Sequence, residues 1–207
     1  MTGPAPPSVP KEALLARRHL AAALVLALTG LTVSVVNARA DKPAQRQPVS
    51  ASVAAPSGAD VHYAHMMMDH HEQAVRMSRA LIAKAQTPER VRLIAEFVAH
   101  DQQREIDETN AWLIAWGLPP SSPPSSPGHG MLTEAQLTGL DRAGTRDAPA
   151  VFLRLMIEHH EGAITMSRSL LDGPAGNVYI HGLAKHVINE QTAEIDAMRA
   201  LLPAVGE

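Results

Sequence analysis

Apolar residues are spaced along this chain in two distinct ways. Residues 20–37 form an uncharged run rich in Ala, Leu and Val, with Arg17 and Arg18 before it and Ala38-Arg39-Ala40 after it. A basic start, an apolar middle and a small-x-small ending are the three parts of a secretory signal peptide, and the run also approaches the length of a membrane anchor. Residues 41–58, with Pro43, Pro48, Pro56 and Gly58 among Ser and Ala, read as a flexible linker. From residue 59 onward, apolar positions recur every three or four residues, the period of helices with one buried stripe.

Capping signals cut this periodic part into segments. Asp60 is placed to cap a first helix running to about Gln86. Thr87-Pro88-Glu89 supplies a cap, a first-turn proline and an acid on the helix dipole for a second helix, which Gly117 and Pro119-Pro120 stop near Trp116. Residues 119–130, mostly Pro, Ser and Gly, form a long surface loop. Thr133 and Gln136 match a capping box for a short helix. A third long helix is expected from Asp147-Ala148-Pro149 to Asp172-Gly173-Pro174, and a fourth from an Asn177 cap to a stop before Pro203.

The two halves of this pattern are copies. His70-His71-Glu72 with Met77-Ser78-Arg79 returns as His159-His160-Glu161 with Met166-Ser167-Arg168, an offset of 159 − 70 = 89 residues. The offset also relates Leu81 to Leu170, Ala95 to Ala184 and Val98 to Val187. It then carries Gln102, Glu105, Ile106 and Asp107 onto Gln191, Glu194, Ile195 and Asp196. Two duplicated hairpins bury their stripes by packing on each other, which gives an all-α four-helix bundle with one long crossover.

Helical geometry places the motif on a face. At 100° per residue, Met67, His70, His71, Ala74, Met77, Ser78 and Leu81 fall within an arc of about 120°, the width of a core stripe. Met156, His159, His160, Ala163, Met166, Ser167 and Leu170 repeat it, while Asp69, Glu72 and Glu161 point away. On the second helix, Gln102 and Glu105 interrupt an apolar stripe, with Asp101 at its edge; Gln191, Glu194 and Glu190 do the same on the fourth. Burying so many polar groups is costly unless they bond one another or a metal.

Composition narrows the chemistry. Hydrophobic residues make up 45% and aromatics 3%, which favours aliphatic helix packing. The net charge of −3 gives no basic field for nucleic acid. With no cysteine, disulfides, thiolate metal sites and cysteine nucleophiles are excluded. Histidine with methionine is a soft donor set that suits copper, and thioether sulfur favours Cu(I). The di-iron bundle pattern of Glu-x-x-His occurs nowhere in the chain, which counts against a metal-dependent oxidase or peroxide-handling enzyme. A third reading is a structural or interaction domain at the cell surface, whose polar core only fixes helix register. Met66-Met67-Met68 beside His62 and His65 is a candidate surface copper-capture cluster, and His129 with Met131 a weaker one in the loop.

The duplicated Met-x-x-His-His-x-x-Ala-x-x-Met string, residues 67–77 and 156–166, resembles the bacterial "domain of unknown function 305" family, as do the Gln-x-x-Glu-Ile segments. The resemblance covers roughly residues 60–202. It implies a ferritin-like fold, export, and copper binding in some members. The resulting expectation has three parts: a signal peptide or membrane anchor over 1–40, a linker over 41–58 and a bundle over 59–205. The bundle would bind a metal, copper by preference, for sequestration or delivery outside the cytoplasm, with membrane contact through residues 20–37. The expected ligands are His70, His71, His159 and His160, with Met67, Met77, Met156 and Met166 as soft ligands or pocket walls. Gln102, Glu105, Gln191 and Glu194 would orient the imidazoles.

Overall fold

The computed structural model describes residues 54–120 and 130–205. The signal or anchor segment, most of the linker and His129 lie outside the described residues. Five helices follow in order: α1 (Gly58–Ile82), α2 (Glu89–Ala115), the short α3 (Glu134–Arg142), α4 (Ala148–Leu171) and α5 (Val178–Val205). The described residues are all-helical, as the period predicted. Among them, no helix is long and apolar enough to cross a membrane.

The helix ends show where local chemistry departs from the expected caps. Ser57, not Asp60, caps α1: its hydroxyl accepts from the Asp60 amide, and the Asp60 carboxylate accepts from the Ser57 amide at 2.7 Å. Asp60 therefore sits in the first turn, fully buried, and it also accepts from the Asn177 amide at the start of α5. Helix α1 ends four residues early, because the chain turns through Gln86 at φ 62°. Thr87 does not cap α2; its hydroxyl turns back to the carbonyls of Leu81 and Lys84 and closes α1 instead. The α2 terminus matches expectation. Gly117 takes φ +66°, and the Leu118 and Gly117 amides bond the Leu113 and Ile114 carbonyls. Pro203 does not stop α5, which runs on to Val205.

Helices α1 and α2 form one hairpin and α4 and α5 the other; the hairpins join chiefly through α1 against α4, while α2 and α5 meet sparsely. The crossover is pinned over the motif helices. Gln73 exchanges two hydrogen bonds with the backbone of Leu132, at 3.0 and 2.7 Å. Residue Gly162, 162 − 89 = 73, stands where the repeat has Gln73, and Gly130 packs directly on its backbone. The small helix α3 seals one end of the core with Leu137 and Leu140.

Candidate metal centre

The α1–α4 contact is where the duplicated motif meets itself. His70 and His71 are 1% exposed and His159 and His160 0%, so the four imidazoles are core residues. The rings of His70 and His159 have centroids 3.6 Å apart with planes inclined 35°, and His159 lies 6.1 Å from His160. The two copies thus meet in one polar layer. The motif methionines divide between two apolar core clusters, one holding Met77 and Met156, the other Met67 and Met166. Each methionine pair combines one residue from each hairpin, as a pseudo-twofold axis through the layer requires.

The partner helices supply the carboxylates. Glu105 Oε2 on α2 lies 2.7 Å from His71 Nε2, and Glu194 Oε2 on α5 lies 2.8 Å from His160 Nε2. An Nε2–H donating to a carboxylate leaves Nδ1 as the lone-pair nitrogen. At His71 this contact is a hydrogen bond, whereas at His160 it is a close approach without hydrogen-bond geometry; the Nδ1 atoms of both rings, and Nε2 of His160, are buried and have no hydrogen-bond partner. Leaving such a group unsatisfied costs about 1–3 kcal/mol. A metal ion that accepts the lone pair removes that cost, so the residues present fit a metal. Gln102 and Gln191 are buried as expected, but no hydrogen bond between either and an imidazole occurs among the described residues; Gln102 makes none with its amide at all. At His71 the Nε2 position is already taken by Glu105.

Burial, then the neighbouring imidazoles of His70, His160 and His71, drives His159 well below the ordinary value of 6.5. His159 is therefore a neutral ring, the state in which imidazole ligates.

Other expected residues fall elsewhere. Glu72 and Glu161 are exposed, and Glu161 pairs with Arg199 on α5. The Met66-Met67-Met68 surface cluster is not assembled: Met67, Met68 and His65 are buried, and His65 bonds the Pro119 carbonyl at 2.9 Å. Three successive residues span most of a helical turn, so they cannot share a face. One functional candidate escaped the sequence reading. His186 on α5 lies 3.2 Å from Glu105 Oε1 and 2.7 Å from Glu190 Oε2. Its signal was a mismatch rather than a motif, since 186 − 89 = 97 and residue 97 is Phe.

The family model described as "Domain of unknown function (DUF305)" matches residues 60–202. Among solved structures, a DUF305 fragment from Deinococcus radiodurans is 31% identical with a TM-score of 0.66, covering 72% of this chain and 98% of that one. A DUF305 protein from Streptomyces coelicolor, described as expected to be secreted, is 31% identical with a TM-score of 0.66, covering 72% and 92%. CopM in its Cu(I)-bound form is 29% identical with a TM-score of 0.59, covering 70% and 96%. CopM is also known in Cu(II)-bound and Ag-bound forms. No curated protein matches the chain.

Proposed function

The chain belongs to the DUF305 family, and on that premise we propose that it is an exported copper-binding bundle serving sequestration or delivery. The observation that carries this reading is the buried imidazole layer, with open Nδ1 atoms on His71 and His160 and the motif methionines buried in the core. His70, His71, His159 and His160 are the proposed ligands. Met67, Met77, Met156 and Met166 would provide thioether sulfur or wall the pocket, and Glu105 and Glu194 would hold the rings. Met67 precedes His70 by three residues and His71 by four, so the three side chains share one helical face. CopM, solved with Cu(I), Cu(II) and Ag bound, supports the choice of metal. The basic–apolar–small pattern ending at Ala40 supports export, as does the Streptomyces relative.

Titration with Cu(I) against a chromophoric competitor, and separately with Cu(II), tests the reading. Expected is tight, saturable binding that is lost when all four motif histidines become alanine, with circular dichroism confirming the fold. Binding by the parent no tighter than by that variant would sink it. A purely structural polar core predicts instead a melting temperature that chelator treatment leaves unchanged.

A further inference from the structure

The duplicated halves differ along the α2–α5 seam, and the difference at His186 completes a second set of ligand atoms. Asp101 and Glu105 on α2 face His186 and Glu190 on α5, and one ligand atom from each lies within 4.8 Å of the others. The repeat relates Asp101 to Glu190 (190 − 101 = 89), but it relates His186 to Phe97. Where Phe97 takes the place of the histidine, the seam holds a groove of about 420 Å³, lined by Leu93, Phe97, Ala193 and Ala197 together with the carboxylate residues Glu190 and Glu194. The other lining positions differ as well: the repeat relates Leu93, Ala193 and Ala197 to Gly182, Arg104 and Glu108, so the groove at Phe97 is largely apolar and the seam at His186 polar.

Glu105 supplies an independent observation. It is 3% exposed, and while Oε2 serves His71, its buried Oε1 has no well-formed hydrogen bond and faces His186. Three carboxylates share this spot with one imidazole. The nearby cation is Arg104, half-exposed, and both of its bonds to Asp101 go to Oδ1 alone. Negative charge is therefore in excess in a partly desolvated seam. The strain shows at Glu190: burial, then the Asp101 charge, pushes its carboxyl up to about 7.

We propose that Asp101, Glu105, His186 and Glu190 form a cation site for a borderline divalent ion of the zinc class, separate from the imidazole–thioether layer. Three oxygens and one nitrogen without sulfur disfavour Cu(I) and suit zinc. Tetrahedral zinc ligands stand about 3.4 Å apart. The cluster therefore needs only a modest contraction, which half-exposed His186 and partly exposed Glu190 can supply by side-chain rotation. The site adjoins the proposed copper layer through Glu105, but its ligands are otherwise different.

The test is a Zn2+ titration of the whole protein, stripped of metal, against a chromophoric zinc chelator near neutral pH. His186→Ala and Glu190→Gln are the variants, since both positions are open enough to leave the fold intact. Expected is one Zn2+ per chain in the parent, weakened more than about tenfold in each variant, with the Cu(I) titration unchanged. Failure of the parent to bind Zn2+, or zinc binding that both variants retain, overturns the proposal. Loss of the Cu(I) result alone overturns only the copper reading.

Discussion

At the residue scale, the pseudo-twofold is a control built into the molecule. Tyr63 on α1 bonds Ser167 on α4 at 2.8 Å, and both are buried. The repeat relates these residues to Phe152 and Ser78 (63 + 89 = 152), so the mirror pair lacks the phenol, and the Ser78 hydroxyl has no partner. Ser167→Ala strands the Tyr63 hydroxyl in the core and should cost about 1–3 kcal/mol, several degrees of melting temperature. Ser78→Ala removes an unsatisfied group and should be neutral or slightly stabilising. Thermal melts of the two variants side by side check the asymmetry; equal losses would contradict it. His159 gives a second residue-scale expectation. Because burial holds it below 6.5 in the folded chain, the unfolded chain takes up its proton first as pH falls. The metal-free protein should thus keep the His159 contribution above about pH 6.5 and lose it progressively below. Asp60, whose burial is outweighed by hydrogen bonds from Ser57 and Asn177, lies below its ordinary 3.8, so its contribution persists to far lower pH. A melt series from neutral to about pH 5 should show a decline that His159→Leu flattens.

At the element scale, the crossover is held by a close backbone approach. A Cβ on Gly130 would lie 2.6 Å from the Gly162 Cα and 3.1 Å from the Glu158 carbonyl, and Gly130 adopts φ +80°. Gly130→Ala therefore meets both a clash with backbone and an unfavourable conformation, and should cost about 1–3 kcal/mol in chemical denaturation. Gly139→Ala on α3, where nothing lies within 4 Å, is the comparison that should show no loss. Such contacts explain what could be read along the chain and what could not. The four long helices and their inward faces were legible because period and burial are the same fact: His70, His71, Glu105 and Met156 interrupt or join stripes whose direction the spacing fixes. The caps were less legible. Ser57 and Asp60 are both good cap residues three apart, and only the direction of the chain entering α1 makes Ser57 the cap and Asp60 its partner. The polar seam at His186 was not legible from α5 alone. His186 stands just before buried Val187, off the core stripe, and acquires neighbours only once α2 lies alongside.

At the scale of the whole molecule, the bundle holds two hairpins related by the repeat, and one of their differences falls on the α2–α5 side. Glu105 and Glu194 are equivalent in the repeat, and each holds one motif histidine. They are unequal in their second oxygen: Glu105 Oε1 faces His186, whereas at Glu194 the equivalent neighbour of His186 is Phe97 and the groove is largely apolar. If both carboxylates orient imidazoles for copper, Glu105→Gln and Glu194→Gln should each weaken Cu(I) by about 10- to 100-fold. If the seam cluster takes zinc, only Glu105→Gln should also weaken Zn2+. A shared group also couples the two ions. A carboxylate drawn toward a cation at His186 accepts less strongly from His71, so bound Zn2+ should lower Cu(I) affinity, and bound Cu(I) should lower Zn2+ affinity by the same factor. Parallel titrations of the parent and both variants, each ion with and without the other, measure the whole square. Equal effects of the two variants on zinc, or a coupling that survives Glu105→Gln, would show that the two sites do not communicate through this carboxylate.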